Sequence, residues 1–401
     1  MCSPAARLSW PPRALPRCGP SAGLEPEPRR DPMTTRRQIL AALAATSLPL
    51  PALAQTRTIT DAIGREVVLP RQSQRVVNMF NYEEFTAIAG LDGWQRVVGM
   101  NRVVWEGWRP AIFSRYRELI PNLATMPDVG NTDEGTFSAE KVISLRPDLL
   151  MMPAWAWTAG STVRDQIVAA GIPVLVFDYN AQTVERHVAS TLAIGAAMGT
   201  PGRAAELAER YRRNIGDILD RVGRAAGPTR PKIHLELGQG GKDVIGNSYS
   251  AATMWGRIFA MLGVQNVAEG RFTGNYAPIA AEAVLAANPD FLYIGASSWT
   301  NRPNAVRTGY GVTAEQTRAS LAPYATRPGW SGLAAIRNGE LHAIEHGLCR
   351  TLFDDTAMLY IARRAWPGAF EGMDPVAALA NYHARYLPVP FSGTWMLPWR
   401  A

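Results

Sequence analysis

The chain has 401 residues, 47% of them hydrophobic and 19% charged. That is length for two ordinary domains and apolar mass for real cores, and it excludes a disordered chain, a collagen and a disulfide-stapled miniprotein. The formal charge of +7, from 41 Lys+Arg against 34 Asp+Glu, raises a nucleic-acid reading that depends on where the charge sits.

Residues 1–32 are Pro- and Arg-rich and lack periodicity. Met33 then opens MTTRRQILAALAATSLPLPALAQ, with Arg36-Arg37 before an apolar run and Ala52-Leu53-Ala54 after it. This reads as a cleavable export signal starting at Met33, with a run too short to span a bilayer. The paired arginine resembles a Tat signal; a Sec signal is the other reading. Without 1–54, seven arginines and three acids are lost, and the remaining 347 residues carry about +3 with no local basic cluster. That dissolves the nucleic-acid reading. Cys349 is the one cysteine left, so no internal disulfide is expected.

Along the rest of the chain, RVVNM (75–79), QRVVGM (95–100) and PVLVF (173–177) read as short buried strands, and KIHLEL (232–237) begins a second series. Phe137–Met152 (FSAEKVISLRPDLLMM) and Ile279–Ile294 (IAAEAVLAANPDFLYI) are a diverged repeat. Each has a Glu (140, 282) on a short helix, a Pro-Asp break (147–148, 289–290) and a buried strand. The proline ends the helix, and the aspartate is placed to accept hydrogen bonds at the turn. Between the series, 184–198 and 203–222 are Ala-rich and amphipathic, broken near Thr200-Pro201-Gly202. The expected fold is α/β: two Rossmann-like lobes with mostly parallel sheets, joined by a long rigid helix. The expected division is 1–54 extension and signal, 55–183 first lobe, 184–226 linking helical segment, and 227–401 second lobe with closing helices.

The opening Ile59–Pro70 (ITDAIGREVVLP), the repeat, GIPVLVFD (171–178) and the tail 339–370 (GELHAIEHGLCRTLFDDTAMLYIARRAWPGAF) resemble the iron-siderophore/vitamin B12 class of periplasmic binding proteins. The resemblance spans nearly all of 56–370. It implies a periplasmic receptor, read as a monomer that does not span the membrane and does not bind nucleic acid. The receptor would pass its ligand to an inner-membrane ABC permease and would need no cofactor of its own. It also implies an exposed Glu early in each lobe for permease docking. Glu84 takes the first position, and 249–254 offers no second.

Ligands of open α/β sheets bind beyond the strand C-termini, so the loops there predict the site. They supply Tyr82, Arg102, Trp105, Trp108, Arg109, Trp155 and Trp157 from the first lobe, and Tyr249, Arg271, Tyr276, Trp299, Arg302, His346 and Arg350 from the second. Aromatic faces with arginines suit a large anionic chelate, by stacking and charge pairing. Of five histidines, only His346 falls in a cleft loop, and none forms an HxH or HExxH pair. The metal is therefore expected ready-chelated, as a ferric siderophore, with cobalamin or haem as alternatives. With haem, His346, Tyr249 or Tyr276 could be axial. Enzyme readings fail: Gly238-Gln-Gly-Gly-Lys242 lacks the phosphate-loop spacing, and Cys349 near His346 reads as packing rather than a nucleophile. A sensing receptor without an importer remains the rival from another class.

Overall fold

The structure is a computed structural model describing residues 56–299 and 301–400. The expected export segment and Met33 lie outside them. An antiparallel hairpin comes first, β1 (Thr56–Thr60) and β2 (Glu66–Pro70). Asp61 organises its turn, accepting from the backbone N–H groups of Ile63 and Arg65 and pairing with the Arg65 guanidinium at 2.8 Å. There follow β3 (Val76–Asn78), α1 (Tyr82–Trp94), β4 (Val97–Met100), α2 (Pro110–Leu119), α3 (Ala139–Ser144), β5 (Leu149–Pro153), α4 (Ala154–Ala159), α5 (Ser161–Ala169) and β6 (Val174–Phe177). The inner strands form a parallel sheet in the order β4-β3-β5-β6. Both faces are covered, which is why these strands read as continuous apolar runs. Leu149, Met151, Leu175 and Phe177 pack with Ile88 and Ile194 on one side. Leu150, Met152, Val174 and Val176 pack with Val129, Val142 and Ile167 on the other.

Two helices follow, α6 (Val184–Met198) and α7 (Pro201–Ala225). Gly199 ends α6 with φ +75°, a left-handed conformation in which glycine meets no Cβ penalty, and Pro201 opens α7. The 25 residues of α7 make a rod about 38 Å long. Arg203 Nε on α7 donates to the Ala87 carbonyl of the first lobe at 3.1 Å. Arg210 grips Asp355 with two N–H groups at 3.1 and 2.9 Å, and Arg221 donates to the Ala369 carbonyl at 3.2 Å. A helix fastened to both lobes along its length resists the bending that a Gly/Ser linker would allow.

The second lobe comprises β7 (Lys232–Leu237), β8 (Ser248–Tyr249), α8 (Met254–Leu262), β9 (Gln265–Asn266), β10 (Tyr276–Ala277), α9 (Ala281–Ala287), β11 (Phe291–Ala296), α10 (Ala314–Leu321), α11 (Ala334–Arg337), β12 (Leu341–Glu345), α12 (Asp355–Ala365), α13 (Pro375–Tyr386) and β13 (Met396–Pro398). Its main sheet runs β13-β12-β11-β7-β9, parallel except for the edge strand β13. A small antiparallel ribbon pairs β8 with β10.

The sequence repeat is a structural repeat. α3 and α9 each stop at a non-glycine residue in the left-handed region, Arg146 (φ 47°) and Asn288 (φ 45°), just before the proline. The following aspartates do the same job in both lobes. Asp148 accepts from the Gln74 and Arg75 N–H groups at 2.8 and 3.0 Å, and Asp290 from the Lys232 N–H at 2.8 Å. Each ties the start of its own strand to the start of the lobe's first strand, so the Pro-Asp pair sets both the break and the strand alignment.

Candidate functional site

The loops beyond β3, β4, β5, β6, β7, β11 and β12 surround one cavity of about 660 Å³. Its first-lobe wall holds Phe80, Trp108, Arg109, Asp133, Glu134 and Trp155. Trp155, on α4, meets Phe80 edge to face with ring centroids 5.7 Å apart. The second-lobe wall holds Tyr249, Tyr276, Trp299, Arg302, His346 and Arg350. The Tyr249 ring lies 5.9 Å from both Tyr276 and His346, and Arg350 sits 5.3 Å over the Phe80 ring, across the cleft.

The charges in this cleft differ in what they are free to do. Arg109 pairs with Glu83 of its own lobe and lies 3.9 Å from Glu345 of the other. Burial alone would lower its guanidinium; the two carboxylates more than reverse that, so it stays charged. Burial pushes the Glu345 carboxyl up, against the pull of Arg109 and of the Ser297 hydroxyl that donates to it at 2.9 Å. The Arg109 charge is thus already answered. Among the described residues, the side chains of Arg302 and Arg350 hold no salt bridge and no hydrogen bond, and they are the cations left for a ligand.

The profile of the periplasmic binding protein family matches residues 82–346. The chain belongs to the periplasmic binding protein family. A TroA-like periplasmic binding protein, FepB from Veillonella parvula, is similar over 85% of this chain and 99% of its own, with 32% identity and a TM-score of 0.79. YvrC of Bacillus subtilis (strain 168), a substrate-binding lipoprotein of an ABC transporter, is 22% identical over 327 residues, 80% of this chain and 84% of the relative. MolA of Haemophilus influenzae, solved with molybdate, shares the fold at 16% identity and a TM-score of 0.63, over 84% of this chain and 99% of its own. This periplasmic binding protein is a substrate receptor, not an enzyme. Among the described residues no helix is long and apolar enough to cross a membrane.

Of the residues singled out in the sequence, the cleft of this binding protein gathers Trp108, Arg109, Trp155, Tyr249, Tyr276, Trp299, Arg302, His346 and Arg350. Six do not behave as expected. Trp105 is 1% exposed and stacks on Trp94 with ring centroids 5.6 Å apart, in the core. Tyr82 is buried beside it, its hydroxyl donating to the Asn101 carbonyl at 2.6 Å. Arg102 turns outward to Glu106 and to the Ala124 carbonyl. Trp157 is clasped between Arg65 and Arg164, whose guanidinium carbons lie 3.8 and 4.7 Å from its ring centroid. Arg271 donates to its own lobe at the Val267 carbonyl.

Glu84 offers no docking carboxylate, because it is 2% exposed. It accepts from the Leu352 N–H at 3.2 Å and from Asn81 Nδ2 at 3.0 Å, joining the lobes from inside. Burial, then the neighbouring Glu83, push its carboxyl up to about 7. The Cys349 thiol is likewise buried, and burial pushes it up, so it stays protonated and unreactive.

Several lining residues went unnoticed in the sequence, chiefly Asp133, Glu134, Asn180 and Glu345. Asp133 and Glu134 follow no strand of the main sheet. An isolated parallel bridge between Met100 and Asp128 carries their segment to the cleft, a pairing with no sequence signature. Glu345 closes an apolar strand, and its position before His346 was the available signal.

Proposed function

We propose that this protein captures a ferric chelate, of the siderophore type, in the inter-lobe cleft and delivers it to an inner-membrane ABC permease. The observation that carries this reading is the pairing of Arg302 and Arg350, which hold no salt bridge among the described residues, with the aromatic surfaces of Trp108, Trp155, Tyr276 and Trp299 around about 660 Å³. A compact anionic chelate with flat aromatic or amide faces meets both kinds of surface. A bare metal ion has less to hold it: among the described residues no group of three or more His, Cys, Asp or Glu is arranged to hold one.

In this reading the protein works as a periplasmic monomer, exported by the cleavable Tat-like signal. Because α7 braces both lobes, closure on the ligand is small. The test is quenching of intrinsic tryptophan fluorescence by catecholate and hydroxamate ferric siderophores, cobalamin, haemin and molybdate. Saturable quenching by a ferric siderophore at the lowest concentration supports the reading. Preference for haemin, cobalamin or molybdate overturns the ligand class. Unchanged siderophore uptake in a deletion strain overturns the transport role and favours a sensing receptor.

A further inference from the structure

His346 begins the loop after β12 and lines the cleft. Behind it, fully buried on α8, lies Trp255. The Trp255 indole N–H donates to His346 Nδ1 at 3.1 Å. An indole N–H can only donate, so Nδ1 must present a lone pair and carry no proton. Burial, then the charges of Arg350 and Arg109, hold the His346 imidazolium well below the ordinary histidine range, so the ring is neutral. A neutral imidazole keeps one proton. With Nδ1 excluded, that proton is on Nε2, an assignment that follows from the hydrogen-bond network.

The neighbouring thiol does not compete. Cys349 Sγ donates to the His346 carbonyl at 3.1 Å and lies 3.9 Å from Nδ1. Nor is Nε2 sealed away. His234 Nδ1 and His383 Nε2 are shut in without partners, whereas His346 Nε2 is not among such atoms and its residue borders the cavity.

We infer that Trp255 fixes His346 with its proton on Nε2, so that His346 presents the cleft with a hydrogen-bond donor and not with a metal ligand. A histidine that binds metal through Nε2 needs Nδ1 protonated, and normally donates that proton to a carboxylate or carbonyl. Here a second donor occupies that direction, so ligation would set two N–H groups against each other. The inference deepens the chelate reading and rests on it for one consequence: the metal arrives with its coordination already filled, and His346 reads an oxygen of the chelator. It removes His346 as the axial residue of a haem.

Two-bond proton–nitrogen NMR on the full chain labelled at histidine, without ligand, tests the tautomer directly. His346→Gln identifies the signals. The expected pattern at pH 7 is a neutral ring protonated at Nε2; an Nδ1-protonated or doubly protonated ring overturns the inference. Trp255→Phe removes the donor and is expected to release His346 into a mixture of tautomers, and an unchanged pattern overturns Trp255 as the positioning residue. The wild-type spectrum decides the tautomer even if that variant unfolds. In a second arm, haemin is titrated into wild type and His346→Leu. Superimposable absorption spectra support the inference. A histidine-ligated spectrum present in wild type and lost in His346→Leu overturns it. A siderophore panel that fails to quench sinks the chelate reading and leaves the NMR result standing.

Discussion

Two segments of the first lobe each carry a pair of tryptophans, and in each pair only one reaches the cleft. Trp108 lines the cavity, while Trp105 is buried against Trp94, Tyr82 and Tyr116. Trp155 lines the cavity, while Trp157 is held between two arginines away from it. Read as an extended loop, Trp155 and Trp157 both look like cleft residues, since residues two apart on an extended chain share a side. Both segments instead coil: Val103–Gly107 makes a π turn and Ala154–Ala159 an α turn. On a helix, the two-residue step from Trp155 to Trp157 turns the side chain to the opposite face, while Trp108 lies three residues past Trp105 and just beyond its turn. One tryptophan of each pair therefore serves stability, and the other is free to serve recognition.

This contrast is open to direct attack. The largest effect is expected from Trp105→Ala, which empties a packed aromatic cluster and should lower unfolding stability by roughly 3–5 kcal/mol. Trp108→Ala should change it by less than about 1 kcal/mol while weakening chelate binding about tenfold. Paired urea titrations and fluorescence binding curves measure both, and equal stability losses would erase the distinction. Arg350→Ala comes next. Among the described residues its side chain holds no salt bridge, so affinity for an anionic chelate should fall about tenfold, with a weaker dependence on salt. Arg109→Lys, whose original partners are Glu83 and Glu345, should instead shift stability more than affinity.

Glu84 sharpens the contrast from inside. Its carboxyl is raised in the folded chain to about 7, above the ordinary value of 4.5. Its contribution to stability is thus fully present below pH 4.5 and is lost as pH rises toward 7. Glu84→Gln should flatten the unfolding midpoint across that window; an unchanged slope would show that the carboxyl titrates normally. The smallest effect is expected at Trp157→Ala, which loses two half-exposed cation–π contacts worth about 1 kcal/mol together. Ligand affinity should not move. If it does, the outer tryptophan belongs to the site after all.

Much of this was legible in the chain. The repeat FSAEKVISLRPDLLMM and IAAEAVLAANPDFLYI announced two related α/β lobes, because a helix, a Pro-Asp break and an apolar strand are local features that sequence encodes locally. KIHLEL is β7 from end to end. Placing the cleft beyond the strand ends located most of the loops that line it, but not those of Asp133, Glu134 and Asn180. Side-chain direction within those loops was the weak point. Trp105, Tyr82 and Trp157 have the composition of a binding surface and the packing of a core. Glu84 shows the same ambiguity for charge: an acid in a helix's first turn looks exposed, until the loop at Leu352 closes over it.

The sequence by itself determined the two-lobed α/β architecture, the helical brace between the lobes and the wealth of arginine and tryptophan near the cleft. Periodicity, helix breakers and strand runs act over a few residues and need no partner. Only the tertiary structure decided which arginines are already neutralised, which tryptophans are free, and which nitrogen of His346 holds a proton. Each of these depends on a contact between residues apart in the chain: Arg109 with Glu345, Trp105 with Tyr82, and Trp255 with His346.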